Sequence, residues 1–111
     1  MFSVESQGAV DVVSAEGPLN QENAPKLIET IEQGLSSGQP MVVFNMQEVP
    51  LLDSAGLEAL VETQQSAQLQ GGCIKLAALT PLCQEILRIT QVDEIVEAYP
   101  DVKSAVGSFV K

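Results

Sequence analysis

The run Leu52-Asp53-Ser54-Ala55-Gly56-Leu57 holds the most chemically capable groups of the chain: a carboxylate and a hydroxyl side by side, followed by two small residues. A serine there has three chemistries open to it. It is a nucleophile where a base takes its proton, a helix cap where its oxygen accepts a backbone N–H, or a carrier of phosphate beside a helix N-terminus. The first needs a base, and the chain has no histidine. Ser–His and Cys–His pairs, the commonest general base and the usual catalytic zinc sites are thereby removed. No Gly-x-Ser-x-Gly elbow surrounds Ser54, and Lys75 has no evident placement as a substitute base. Capping and phosphate carriage stay open; as a cap, Ser54 or Asp53 contributes about 1 kcal/mol.

Asp53 has a further reading, as the phosphorylated aspartate of a receiver domain. That chemistry needs an acidic pair at the end of the first strand to hold Mg²⁺, and a lysine late in the chain. Here the early strands end in Ala15-Glu16-Gly17, and Leu76-Ala77-Ala78-Leu79 has no lysine at its exit. The receiver reading is disfavoured. Cys73 opens an apolar run and Cys83 sits early in a predicted helix, so both read as buried structural thiols. No cofactor and no metal site is expected, and the chain does not read as an enzyme.

The 111 residues suffice for one hydrophobic core, so a single domain over 1–111 is expected, with its core from about 10 to 109. Aromatics are scarce (Phe2, Phe44, Tyr99, Phe109), which argues against base-stacking platforms and aromatic cages. Fifteen acids stand against five bases. A surface that negative repels nucleic acid and anionic lipid; it reads equally as the complement of a basic protein surface and as a solubility charge with no specific partner. No leader-like N-terminus and no bilayer-length apolar run is visible, so neither membrane insertion nor export is expected and a cytoplasmic location is.

The elements that must position the loop alternate along the chain. Phe2 and Val4, then Val10, Val12 and Val13, read as two strands around the Gln7-Gly8 turn. Asn20 is a plausible N-cap for a helix from about Gln21 to Leu35, with Ala24, Leu27, Ile28, Ile31 and Leu35 on one face. Ser36 to Pro40 reads as a loop, and Met41-Val42-Val43-Phe44 as a strand buried on both faces. Asp53 or Ser54 opens a second helix with an apolar stripe of Leu57, Leu60, Val61 and Ala67, ending at Gly71-Gly72. Cys73 to Leu79 is a second buried strand, and Thr80-Pro81 opens a short helix through Ile86, Leu87 and Ile89. Ile95-Val96 reads as a short strand, and Val102, Ala105, Val106 and Phe109 have helical spacing after Pro100. The fold class is α/β: a mixed, mostly parallel sheet of four to five strands with about four helices, the first hairpin supplying an antiparallel edge. Glu58 and Glu62 fall on the exposed face of the second helix, and Asp93, Glu94, Glu97 and Asp101 read as a solvated acidic rim with no base among them.

In its strand–loop–helix setting, Leu52-Asp53-Ser54-Ala55-Gly56-Leu57 resembles the STAS family, most closely its free-standing anti-sigma factor antagonists. The flanks Glu16-Gly17-Pro18-Leu19-Asn20 and Gly71-Gly72 fall at family spacing, and the likeness runs from about Val10 to Phe109. The resemblance implies an anti-anti-sigma factor of a bacterial partner-switching pathway. Such a protein binds an anti-sigma factor that is also a serine kinase of GHKL type. Phosphorylation of Ser54 by that kinase releases it, and a serine phosphatase of PP2C type resets it. Asn20, Asp53, Ser54, Ala55, Gly56, Glu58 and Glu62 are the expected partner-binding residues, in a monomer or weak dimer; Gly56 reads also as a close helix–sheet packing position, and Glu58 and Glu62 equally as a solvated face. Two residues depart from the family pattern. Asn20 stands where aspartate is common, removing one charge contact, and Ala55 stands where many members carry a second serine or threonine, leaving Ser54 as the acceptor in this loop. The alternative within the family is a constitutive scaffold, in a stress-signalling complex or a lipid-transport ABC system.

Overall fold

The computed structural model describes residues 2–34 and 40–109. Leu35 and Ser36 to Gln39, predicted as a helix end and a loop, lie outside them. Strands β1 (Phe2–Gln7) and β2 (Val10–Glu16) form an antiparallel hairpin whose turn places Gly8 at φ +64°. That is a left-handed geometry glycine adopts without a Cβ penalty. Helix α1 (Ala24–Gly34), strand β3 (Met41–Glu48), helix α2 (Ser54–Leu69), strand β4 (Cys73–Ala77) and helix α3 (Pro81–Thr90) follow. A 3₁₀ turn (Val92–Glu94), strand β5 (Glu97–Tyr99) and helix α4 (Val102–Phe109) complete the fold.

The sheet order is β1-β2-β3-β4-β5, parallel from β2 onward. Each β–α–β crossover therefore steps the same way across the sheet. Right-handed crossovers stepping in one direction put every connecting helix on the same face. Accordingly α1, α2 and α3 share one core with Val13, Val42, Phe44, Met46, Ile74 and Leu76. Helix α4 covers the other face alone, over Val10, Val12, Val43 and Ala77. Val42, Val43 and Phe44 are all buried, as a strand covered on both faces requires.

Several boundaries differ from the sequence reading. The first helix begins at Ala24, three residues after the expected start, because Asn20 caps a separate turn instead. Its carbonyl oxygen Oδ1 accepts from the N–H groups of Glu22 and Asn23, at 3.0 and 3.3 Å. Strand β4 ends at Ala77, since Ala78 takes φ +59°. The expected strand at Ile95-Val96 is a turn: both N–H groups return to the Val92 carbonyl, and β5 forms two residues later against Lys75 to Ala77. Glu97 is not part of a bare acidic rim, because Lys75 lies 3.6 Å from it. Cys83 is buried, but Cys73 is only half-buried; burial pushes its thiol pKa up all the same. Asp101 caps α4 by accepting from the Ser104 N–H at 2.7 Å, and that bond holds its carboxyl below the usual range.

The buried face of α2 also holds polar groups that periodicity alone does not mark. Gln64 is 4% exposed; its Oε1 accepts from the Ile74 N–H at 2.6 Å and its Nε2 donates to the Ile95 carbonyl at 3.1 Å. One amide thus ties α2 to the start of β4 and to the turn before β5. Gln64→Leu keeps the volume and orphans both backbone groups, so it should lower unfolding free energy by about 2–3 kcal/mol in urea titrations.

Candidate functional site

The loop before α2 is built by an extension of the β2–β3 pairing. Beyond the regular ladder, Gly17 N–H donates to the Glu48 carbonyl and Leu19 N–H to the Leu51 carbonyl, each at 3.0 Å. Asp53 N–H then donates to the Leu19 carbonyl at 3.1 Å, and Leu19 and Leu52 form an isolated parallel bridge. Both leucines are buried. Two loops that would otherwise carry unpaired backbone satisfy each other. Asn20 and Asp53, 33 positions apart in sequence, follow directly from the two paired segments.

Asp53 is the N-cap of α2. Its Oδ1 accepts from the Gly56 N–H at 3.0 Å, and its carbonyl accepts from Leu57 N–H at 2.9 Å. Ser54 is then the first helical residue, and its side chain is exposed. The N–H groups of Ser54 and Ala55 have no helical carbonyl behind them, so the positive end of α2 faces outward at this serine. The sequence left the cap open between two residues; the geometry gives it to Asp53.

Of the two roles open to Gly56, the structure shows the packing one. Gly56 is buried, and a Cβ there would stand 2.6 Å from the Leu19 carbonyl oxygen. Its small size serves the chain's own loop, allowing α2 to start tight against the Leu19–Leu52 bridge. Ala55 is half-buried against the core.

Ser54, Glu58 and Glu62 follow at intervals of four, and all three are exposed, so they stand in one row along α2. This row borders a shallow groove of about 490 Å³ between α1 and α2, with Pro25 and Ile28 on the opposite wall. Pro25 and Ile28 were not singled out from sequence. Ile28 belongs to the apolar face of α1, and nothing in a periodicity separates a residue facing a groove from one facing the core. Lys26, Lys75 and Arg88 are each paired with an acid elsewhere, to Glu29, Glu97 and Glu85. The Asn20 carbonyl oxygen is occupied by its own turn, so that residue brings no charge to the groove's edge. The arrangement presents a hydroxyl and two carboxylates in line, over an apolar wall. Such a surface is suited to docking a protein.

The model of the STAS domain matches residues 1–105. The chain belongs to the STAS family. Solved structures agree over the whole fold. A Thermotoga maritima protein assigned provisionally to the anti-sigma factor antagonists superposes with TM-score 0.91 at 22% identity, over 99% of this chain and 95% of that one. An anti-sigma factor antagonist from Mycobacterium paratuberculosis gives 0.88 at 25% identity, over 100% and 94%. The STAS fold also occurs within larger proteins. The murine solute carrier 26 family member A9 anion transporter matches with TM-score 0.79 at 19% identity, over 92% of this chain and 18% of the transporter. Among the described residues no helix is long and apolar enough to cross a membrane.

The cap and the buried glycine are separable by stability. Gly56→Ala should cost about 1–3 kcal/mol, because the Leu19 carbonyl must move. Asp53→Ala should cost about 1 kcal/mol, the ordinary loss of an N-cap. Denaturant midpoints at a common slope measure both.

Proposed function

We propose that this STAS domain is an anti-sigma factor antagonist. It docks on an anti-sigma factor that is a GHKL-type serine kinase, and phosphorylation of Ser54 releases it. The observation that carries the reading is the position of Ser54: exposed, first in α2, uncommitted to capping and in line with Glu58 and Glu62 beside the α1–α2 groove. The 25% identical Mycobacterium structure, an anti-sigma factor antagonist of nearly the same length, supports the same role.

The charge logic follows from what a kinase must bring to Ser54. The donor nucleotide's polyphosphate has to face the hydroxyl, so the partner's surface at that point is negative while nucleotide is bound. The serine oxygen forms a bond to the γ-phosphorus, the bridging bond to the β-phosphate breaks, and the serine proton leaves to the partner or to solvent. The product then carries about −1.5 to −2 charges where a neutral hydroxyl stood, opposite a spent nucleotide and beside Asp53. Repulsion and bulk open the contact there. Glu58 and Glu62, one and two turns further on, meet basic residues of the partner. Asp53, Ser54 and Ala55 form the centre of the interface, Asn20 its edge, and Gly56 acts from beneath by seating α2. A PP2C-type phosphatase restores the hydroxyl.

A constitutive scaffold reading has one point in its favour: the same fold forms part of a transporter, as in the murine anion carrier. One experiment divides the two. With the cognate kinase identified, Ser54→Ala should bind it about as well as wild type, and Ser54→Asp on the order of tenfold or more weakly, by calorimetry. Mass spectrometry after incubation with ATP should place a single phosphate on Ser54 and none on Ser54→Ala. Equal binding by the two variants, with no phosphate on the wild type, leaves the scaffold reading.

A further inference from the structure

Helix α3 carries a line of aliphatic side chains that the fold leaves open. Leu82 and Ile89 are 51% and 66% exposed, and Ile86 between them is half-buried. Spacings of four and three put all three on one side of the helix. Gln84 and Arg88 line a depression on the β5 side, with Asp93 and Ala98. The aliphatic line therefore occupies the opposite flank of α3.

A second groove, about 410 Å³, runs between α2 and Val92, which follows the end of α3 by two residues. Leu57, Val61 and Val92 supply its apolar lining, and Glu58 and Glu62 stand along it. Leu57 and Val61 are the members of the α2 stripe that the core does not fully cover. Leu51, 42% exposed, belongs to the loop that meets the start of α3, where the Val49 carbonyl accepts from Thr80 and Cys83.

We propose that this α2–α3 flank is a second docking surface, which shares the Glu58–Glu62 crest with the α1–α2 groove, and that it takes an amphipathic helix of a partner protein whose aliphatic stripe is edged by lysine or arginine. Exposed aliphatics are ordinary one at a time, whereas a line of them beside an apolar groove marks an interaction site. An aliphatic line along one helix, flanking a groove, is the geometry that receives another helix. Charge selects the occupant. Glu58 and Glu62 form the crest between the two grooves and line both. No base lines the second groove, and Arg88 of α3 is bound to Glu85 on the side away from it. A second copy of this chain would bring another net charge of −10 to the contact, which disfavours self-association. A basic helix satisfies both the aliphatic line and the crest.

The probe is a synthetic leucine–lysine amphipathic helix, with a leucine–glutamate peptide of the same pattern as control. Amide shifts of the isotope-labelled protein should move at Leu57, Val61, Leu82, Ile86 and Ile89 with the lysine peptide and stay still with the glutamate one. Leu82→Asp combined with Ile89→Asp should weaken binding by about tenfold or more, with an unchanged melting curve. Should the double variant lose its fold, Ile89→Asp alone reads the same surface at its most exposed position, with an expected loss of about threefold or more. Shifts confined to the α1–α2 groove, equal binding of both peptides, or undiminished binding by the folded variant would overturn the proposal. So would a dimer in sedimentation that Ile89→Asp abolishes, since the occupant would then be a second copy.

Discussion

The parallel bridge between Leu19 and Leu52 is the constraint on which the site depends. Strands β2 and β3 slip in register between Ser14 and Glu16, and without a further tie their exits would part. The backbone bonds from Gly17 to Glu48, Leu19 to Leu51 and Asp53 to Leu19 carry the pairing on past the sheet. Helix α2 can start only where that ladder ends. The Leu19 carbonyl that receives Asp53 is also the atom against which Gly56 lies, so the bond that fixes the cap dictates the glycine. Ser54, between the two, is held by backbone on both sides while its side chain makes no contribution to the hold. Its placement is a property of the fold, and its chemistry is left open to the surroundings.

Most of the fold could be read from the sequence because its signals are local. Apolar runs, turn residues and the Thr80-Pro81 start each act over a few positions, and they recovered the hairpin, β3, α2, α3 and α4. The errors fall where distant partners decide. Ile95 and Val96 have good strand composition, yet Val92 captures their N–H groups in a turn. The edge strand goes instead to Glu97 and Tyr99, which face Lys75 and Ala77. Gln64 looks like one more member of a glutamine-rich helix until β4 arrives beneath it. The site divides in the same way. Asp53, Ser54, Glu58 and Glu62 were legible as a motif and a spacing. That Gly56 faces inward depends on the Leu19 loop lying against the start of α2, and that Pro25 and Ile28 form the other wall depends on how α1 lies against α2, which no periodicity encodes.

The direction of the crossovers gives α2 its special place. With three helices laid side by side on one face, the middle one has a neighbour on each flank and a crest between two grooves. The small residues Ala55 and Ala59 lie toward α1, and Leu57 and Val61 toward Val92 in the turn after α3. Acids stand on the crest itself. Burying either carboxylate in the sheet-facing side would carry a desolvation cost, and Lys26, Lys75 and Arg88 are already paired with other acids. The crest is therefore the position on α2 where two uncompensated acids are cheaply held, and it lies beside Ser54. Acidity at this surface follows from packing geometry as much as from overall composition.

The assignment of the cap to Asp53 then has a consequence for any charge placed on Ser54. A serine that capped the helix itself would have its oxygen engaged by the Gly56 N–H, and modification would compete with that bond. Here the carboxylate makes the bond, leaving the hydroxyl one position further in. A phosphate at the first helical residue meets the unpaired N–H groups and the positive end of the helix, which favour it. The repulsion from Asp53 and, one turn on, from Glu58 acts the other way. The two effects oppose each other within the chain, so the stability of α2 changes less than either alone would change it. Across an interface there is no such cancellation: the helix end is already screened by its own phosphate, and an opposing surface sees the added charge. Were Ser54 to carry a phosphate, the separation of the cap from it by a single position would direct the effect of that charge to whatever docks there.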